Sequence, residues 1–206
     1  LEILSAMGAR VERLGDNDWE ICCAGVIDGE IPEEQASKVR ASILFAGPML
    51  GRLGRVVLPP PGGDVIGRRR LDTHFLALKG LGAAVDINGR FVITANKLVG
   101  LDLFLDEASV TATENAVMAA VKAEGETIIR NAASEPHVQD LCRLLNAMGA
   151  RIEGIGSNIL KIRGVPSLGG CEFRIGADFM EVGSFIGLAA ATGGDLVIED
   201  ADPEHL

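Results

Sequence analysis

Two short patterns recur along the chain at a common interval, and this repetition restricts the fold before any single residue is considered. The first reads LEILSAMGARV at residues 1–11, FLALKGLGAAV at 75–85 and CRLLNAMGARI at 142–152. In each copy, apolar residues at the first, fourth and seventh positions line one helical face. A glycine then stands where the helix must stop, and a strand pattern begins after it. These glycines, Gly8, Gly82 and Gly149, are 74 and 67 residues apart. The second pattern fills the intervals, as ASILFAGPMLGRLGRVVL at 41–58, TATENAVMAAVKAEGETII at 111–129 and EVGSFIGLAAATGGDLVI at 181–198. Its helices are expected to end at Gly54, Gly125 and Gly194, with spacings of 71 and 69. Two patterns interleaved at one period describe a single α/β unit used repeatedly.

The helices of the second pattern are apolar nearly all round and rich in Ala, Gly and Ser, so protein must enclose them. Those of the first pattern share the tendency. The strands between, such as RVERLGDNDWEI at 10–21 and DINGRFVITA at 86–95, carry charges at alternate positions and read as half-exposed. The expected fold is therefore α/β with buried helices and sheets outside, the reverse of the usual layering. Only 4% of residues are aromatic and 26 are Gly, which suits helices in close approach. The competing arrangement is an ordinary doubly wound sheet with its helices outside.

With 206 residues, 48% of them hydrophobic, the chain has enough apolar material for a core and too much for disorder. Its formal net charge of −10 excludes a general binder of nucleic acid or of anionic membranes. The longest apolar stretch, ASILFAGPMLG at 41–51, is too short to span a bilayer and contains Gly47 and Pro48. Cys22, Cys23, Cys142 and Cys171 have no metal-ligand spacing and read as free thiols in a reducing cytoplasm. The chain opens on Leu1 inside a helical pattern and reads as a piece of a longer protein.

The segment LPPPGGDVIGRRRLDTH at 58–74 is the most distinctive chemically. Three prolines end a strand, Gly62 and Gly63 open backbone courses closed to other residues, and the carboxylate of Asp64 precedes Arg68, Arg69 and Arg70. A carboxylate on a Gly-rich loop beside arginines suits a proton donor acting on an anionic substrate. The plainer alternative is a surface loop in which Asp64 pairs with an arginine. Arg40, Arg52 and Arg55 bring the basic residues to six within 31 positions. Guanidinium forks of this kind suit phosphate or carboxylate, although Arg52 and Arg55 read as a solvated face. Asp72 reads as a helix N-cap with His74 in the first turn, either structural or touching substrate. DEASVTATE at 106–114 ends a strand and opens a helix, placing Ser109, Thr111 and Thr113 beside free N–H groups that either bind phosphate or are simply capped.

RASILFAGPML at 40–50, the PGGD loop, SVTATENAVMAA at 109–120 and NAASEPHVQDLCRLLNAMGARIEG at 131–154 together resemble the UDP-N-acetylglucosamine 1-carboxyvinyltransferases. These are the bacterial enolpyruvyl transferases that commit the sugar nucleotide to peptidoglycan, and the resemblance extends over essentially the whole chain. It implies an inside-out α/β barrel of repeated units, with residues 1–176 most of one domain and 177–206 the start of a second. It also implies transfer of the enolpyruvyl group of phosphoenolpyruvate to the 3-hydroxyl of UDP-N-acetylglucosamine with phosphate release, in the cytoplasm and without a cofactor or metal. Asp64 stands where most members have Cys and some Asp, the assigned proton donor, so an epoxide that alkylates the thiol should not act here. Arg69 and Arg40 match sugar-nucleotide contacts. Arg70, Leu71, Asp72, Thr73 and His74 continue the substrate-binding stretch, and Ser109 and Val110 match the segment touching uridine diphosphate. The partners implied are the two substrates and the second domain of the same polypeptide, without which this chain should be inactive. Alternatives are the sister transferase acting on shikimate 3-phosphate and a noncatalytic paralogue that binds a nucleotide sugar. Arg70, Thr111 and His137 depart from the family's usual Pro, Gly and Glu, which is the feature favouring the paralogue.

Overall fold

The structure, a computed structural model, describes residues 1–63 and 70–206. The first unit opens with helix α1 (Glu2–Ala6) and the hairpin β1 (Arg10–Arg13) and β2 (Trp19–Cys22), followed by the short helix α2 (Glu33–Ala36). A helical run then begins as a 3₁₀ segment, Arg40–Phe45, and becomes α3 (Ala46–Leu53). Pro48 falls in the first α turn, where the 3₁₀ segment gives way to α3, an early position at which proline is tolerated. Strand β3 (Arg55–Leu58), helix α4 (Asp72–Gly80) and strands β4 (Ala84–Asn88) and β5 (Arg90–Thr94) follow. Then come β6 (Asp102–Phe104), α5 (Val110–Ala120), β7 (Glu126–Arg130), α6 (Pro136–Ala147), β8 (Arg151–Glu153), β9 (Ile159–Arg163) and α7 (Phe179–Thr192).

The repeats appear as repeated backbone geometry. Gly8, Gly82 and Gly149 have φ of 95°, 100° and 101°. In each case the next amide bonds back across the helix end, Ala9 to Leu4, Ala83 to Leu78 and Ala150 to Leu145, as a glycine-terminated helix requires. Gly54 likewise caps α3 at φ 68°, whereas α5 ends at Ala120 with Val121 as its cap, short of the expected Gly125, whose φ of 87° instead falls just before β7. The third copy of the second pattern differs: α7 ends one residue early, on Gly193 at φ 63°, and no strand follows it. Gly194 lies beyond the cap.

Strands pair in the order β3–β5–β4, all antiparallel, and β6–β7–β9–β8, where only β6 and β7 are parallel. Among the described residues these sheets are open, not closed into a barrel. Helices α3, α4 and α5 lie inside, with α5 touching α3, α4, α6, β7 and β9. Ala112, Ala116, Val117, Ala119 and Ala120 of α5 are all buried, as are Ile43, Leu78, Leu81 and Ile93 around it. Each such Ile or Leu contributes roughly 1.5–3 kcal/mol of burial. The sheets keep an outer face. In β9, Leu160 and Ile162 point inward while Ile159, Lys161 and Arg163 are exposed, and Glu126 stands opposite Arg163. The expected layering of inner helices thus holds for α3, α4 and α5. It does not hold for α6, which buries only Val138, Cys142 and Leu145 on one face, for α1, which buries nothing, or for α7, an apolar helix expected to be enclosed but burying only Val182.

Helices α3 and α5 run in the same direction, since Gly47 faces Asn115 and Gly51 faces Lys122. A Cβ on Gly47 would stand 2.6 Å from the Asn115 carbonyl oxygen. Gly47→Ala adds about 1 kcal/mol of helix propensity but forces backbone apart, at a cost of about 1–3 kcal/mol. We expect a net loss of up to about 2 kcal/mol, read as a lower denaturant midpoint at unchanged slope. A midpoint equal to or above wild type would mean that the helices separate freely.

Candidate functional site

The N-terminal ends of the inner helices converge on one cavity of about 470 Å³, lined by Arg40, Arg70, His74, Glu107, Ala108, Ser109, Val110 and Thr111. Arg40 is the first residue of the 3₁₀ run, Arg70 and His74 flank the start of α4, Glu107, Ala108 and Ser109 come from the turn between β6 and α5, and Val110 and Thr111 begin α5. Ser109 is the N-cap of α5, its Oγ accepting from the Ala112 amide at 3.4 Å. The amides of Val110 and Thr111 fall in the first turn, which offers them no intrahelical acceptor. With the helix dipole they favour an anion there.

Charge in the cavity is held by local contacts. Arg40 Nη2 donates to the Arg70 carbonyl oxygen at 3.2 Å, and Arg70 Nε donates to Asp72 Oδ2 at 2.5 Å. Thr73 is buried and donates from Oγ1 to Asp106 Oδ1 at 2.6 Å, tying the start of α4 to the turn before α5. His74 is fully buried. Burial, helped by the Arg40 charge, pushes its pKa down from 6.5 to about 4, so the ring is neutral at pH 7.

Of the residues expected from the sequence, Arg40, Arg70, His74, Ser109 and Val110 meet at this cavity. Leu71, Asp72 and Thr73 do not line it. Leu71 packs on the core, Asp72 holds Arg70, and Thr73 serves the Asp106 tie. Asp72 is the first residue of α4 and not its cap, since Leu71 takes the cap position without a side-chain bond. Asp64 and Arg69, with Arg68, lie outside the described residues. Arg52 and Arg55 are elsewhere: Arg52 donates to the Cys23 and Val26 carbonyls, and Arg55 faces Glu30 at 3.9 Å. His137 stacks on Phe179, with ring centroids 5.9 Å apart.

A second cavity of about 550 Å³ opens at the C-terminal end of α3 and just beyond that of α5, beside Arg52, Lys97, Lys122 and Glu124. Its cations are engaged, Lys97 with Glu124 at 2.5 Å and Lys122 with the Pro166 carbonyl at 2.5 Å. They answer the negative ends of α3 and α5, so the first cavity is the better anion site. Sequence reasoning missed Glu107, Ala108 and, behind the cavity, Asn115. The available signal was the spacing of Thr111 and Asn115, polar residues four apart and so on one face of α5.

A family model described as EPSP synthase (3-phosphoshikimate 1-carboxyvinyltransferase) matches residues 1–206, the whole chain. The chain belongs to the EPSP synthase family. Two curated relatives named UDP-N-acetylglucosamine 1-carboxyvinyltransferase, from Treponema denticola and Treponema pallidum, are 61% and 63% identical over all of this chain. The chain spans about half the length of these relatives, 48% of each. Among solved structures, the enolpyruvyl transferase NikO from Streptomyces tendae superimposes with a TM-score of 0.73 at 21% identity. That match covers 90% of this chain and 44% of the other. EPSP synthase from Acinetobacter baumannii gives 0.67 at 23% identity, over 92% and 43%. The fold is thus the α/β fold of the enolpyruvyl transferases. No helix among the described residues is long and apolar enough to cross a membrane.

Proposed function

We propose that the full-length protein transfers the enolpyruvyl group of phosphoenolpyruvate to the 3-hydroxyl of UDP-N-acetylglucosamine and releases phosphate, the first committed step of peptidoglycan synthesis. The observation that carries this is the convergence of Arg40, Arg70, neutral His74 and the N-terminus of α5 on one cavity, in a chain of net charge −10. Identity of 61–63% to two enzymes bearing that name supports the choice of acceptor.

The reaction needs a proton at the vinyl methylene, stabilisation of the cation so formed, attack by the sugar hydroxyl, and loss of phosphate from a tetrahedral intermediate. Asp64 gives the proton, and Arg69 and Arg40 hold the anionic substrates. Arg70 and the first turn of α5, with Ser109 and Val110, take the diphosphate, while Asp72 and Thr73 keep Arg70 and the α4 entry in place and Leu71 anchors the turn. The chemistry calls on no cofactor.

Residues 177–206 begin the second domain and 1–176 form most of the first. Helix α7 supports this division. It buries only Val182 and leaves Met180, Phe185, Ile186 and Leu188 about half exposed or more, an apolar surface that further chain would cover. Completed units would close the inside-out arrangement. A cytoplasmic setting agrees with four cysteines present as free thiols.

The test is phosphate release from phosphoenolpyruvate by the full-length protein, with UDP-N-acetylglucosamine and shikimate 3-phosphate offered separately. Release with the sugar nucleotide alone is expected. Release with shikimate 3-phosphate alone would transfer the assignment to the sister reaction, and release with neither from folded protein would leave a nucleotide-sugar-binding paralogue.

A further inference from the structure

A buried amide behind the cavity determines which nitrogen of His74 carries the proton. Asn115 Oδ1 accepts the Gly47 amide hydrogen at 2.8 Å, and Asn115 Nδ2 donates to the Ile43 carbonyl oxygen at 2.9 Å. These backbone partners leave the side-chain amide one orientation, because the reverse would set N–H against N–H and carbonyl against carbonyl. The other Nδ2 hydrogen then points at His74 Nδ1, 2.9 Å away, which must present a lone pair. A neutral imidazole with a lone pair on Nδ1 has its hydrogen on Nε2. That Nε2 lies 3.2 Å from Thr111 Oγ1, so it donates to the hydroxyl oxygen. The Thr111 hydroxyl hydrogen is left to turn outward, and Thr111 lines the cavity.

We propose that Asn115 is a positioning residue that fixes His74 as the Nε2–H tautomer and thereby makes the Thr111 hydroxyl a hydrogen-bond donor into the cavity. The chain of donors runs from Asn115 through His74 to Thr111 and brings together the 3₁₀–α3 run, α4 and α5. Asn115 and His74 are buried, so each group polarises the next. The ligand atom facing Thr111 must be an acceptor, and on the reading proposed above it is a diphosphate oxygen of UDP-N-acetylglucosamine.

Long-range proton–nitrogen NMR of the ¹⁵N-histidine-labelled full-length protein at neutral pH reads the tautomer directly, with His74→Gln used to assign the signals. A pyridine-type Nδ1 and a pyrrole-type Nε2 are expected for His74; the reverse pattern, or an imidazolium, overturns the proposal. Thr111→Val, which keeps the branched shape and loses the hydroxyl, should weaken UDP-N-acetylglucosamine binding roughly tenfold. Thr111→Ser should restore binding to within about twofold, by keeping the hydroxyl donor. Equal affinity of the Val variant and wild type would overturn the relay. Failure of wild-type protein to bind the sugar nucleotide while His74 shows the expected tautomer would count against the functional reading alone.

Discussion

Asp64→Asn in the full-length protein is expected to lower kcat by roughly 10²–10⁴, the range that a positioned general acid supplies. The amide copies the shape of the carboxyl group and its capacity to accept hydrogen bonds but has no acidic proton for the vinyl methylene. KM for UDP-N-acetylglucosamine should stay within a few-fold of wild type, because contacts made equally in ground and transition states are unchanged. The acid must enter the cycle protonated. Turnover in wild type should therefore fall as pH rises through the pKa of Asp64 in the substrate complex, and the small residual rate of the Asn variant should lack that limb. A structural carboxylate that merely pairs with an arginine would give another pattern, with little loss of kcat and a lowered unfolding midpoint. Steady-state phosphate release across pH, with a parallel denaturation curve, separates the two.

The second large effect concerns stability in acid. His74 titrates at about 4 in the folded chain, because burial opposes its charged form, against an ordinary value of 6.5 in the unfolded chain. Between these values the unfolded state binds a proton that the native state refuses, so stability falls as pH is lowered from 6.5 towards 4 and levels off below. The loss from this one group is about 3 kcal/mol. Carboxylates titrate in the same range, so the comparison must be differential. Unfolding free energies of wild type and His74→Gln, measured at pH 7 and pH 4, should differ by that increment, with wild type losing more. Parallel curves would show that His74 takes up its proton freely in the native state.

Local patterns exposed much of this molecule in its sequence. The glycines after α1, α4 and α6 were legible because an apolar helix that stops on a left-handed residue needs Gly whatever surrounds it. The burial of α3 and α5 followed from helices with no polar side. Helix α6 was misread because its outer residues, Gln139 and Arg143 among them, are engaged with one another on the surface, where the motif resemblance hid an ordinary amphipathic pattern. At the third repeat, α7 ends on Gly193, as only geometry could decide between adjacent glycines. Arg40, His74 and Ser109 stood out by residue type, and chain reversals at α4 and α5 brought them together. Spacing could flag Asn115 but not its role, since its partners Ile43, Gly47 and His74 are remote in sequence and the first two offer only backbone groups.

That remoteness has a kinetic meaning. The three bonds of Asn115 join residues 68, 72 and 41 positions apart. Loops of such size must close, and the strands between the helices must already have reversed the chain, before any of these contacts stabilises another. The cavity is therefore expected to form late in folding. No excised helix or single repeat would reproduce it, because its walls belong to segments that meet only when the whole α3–α5 interior has condensed.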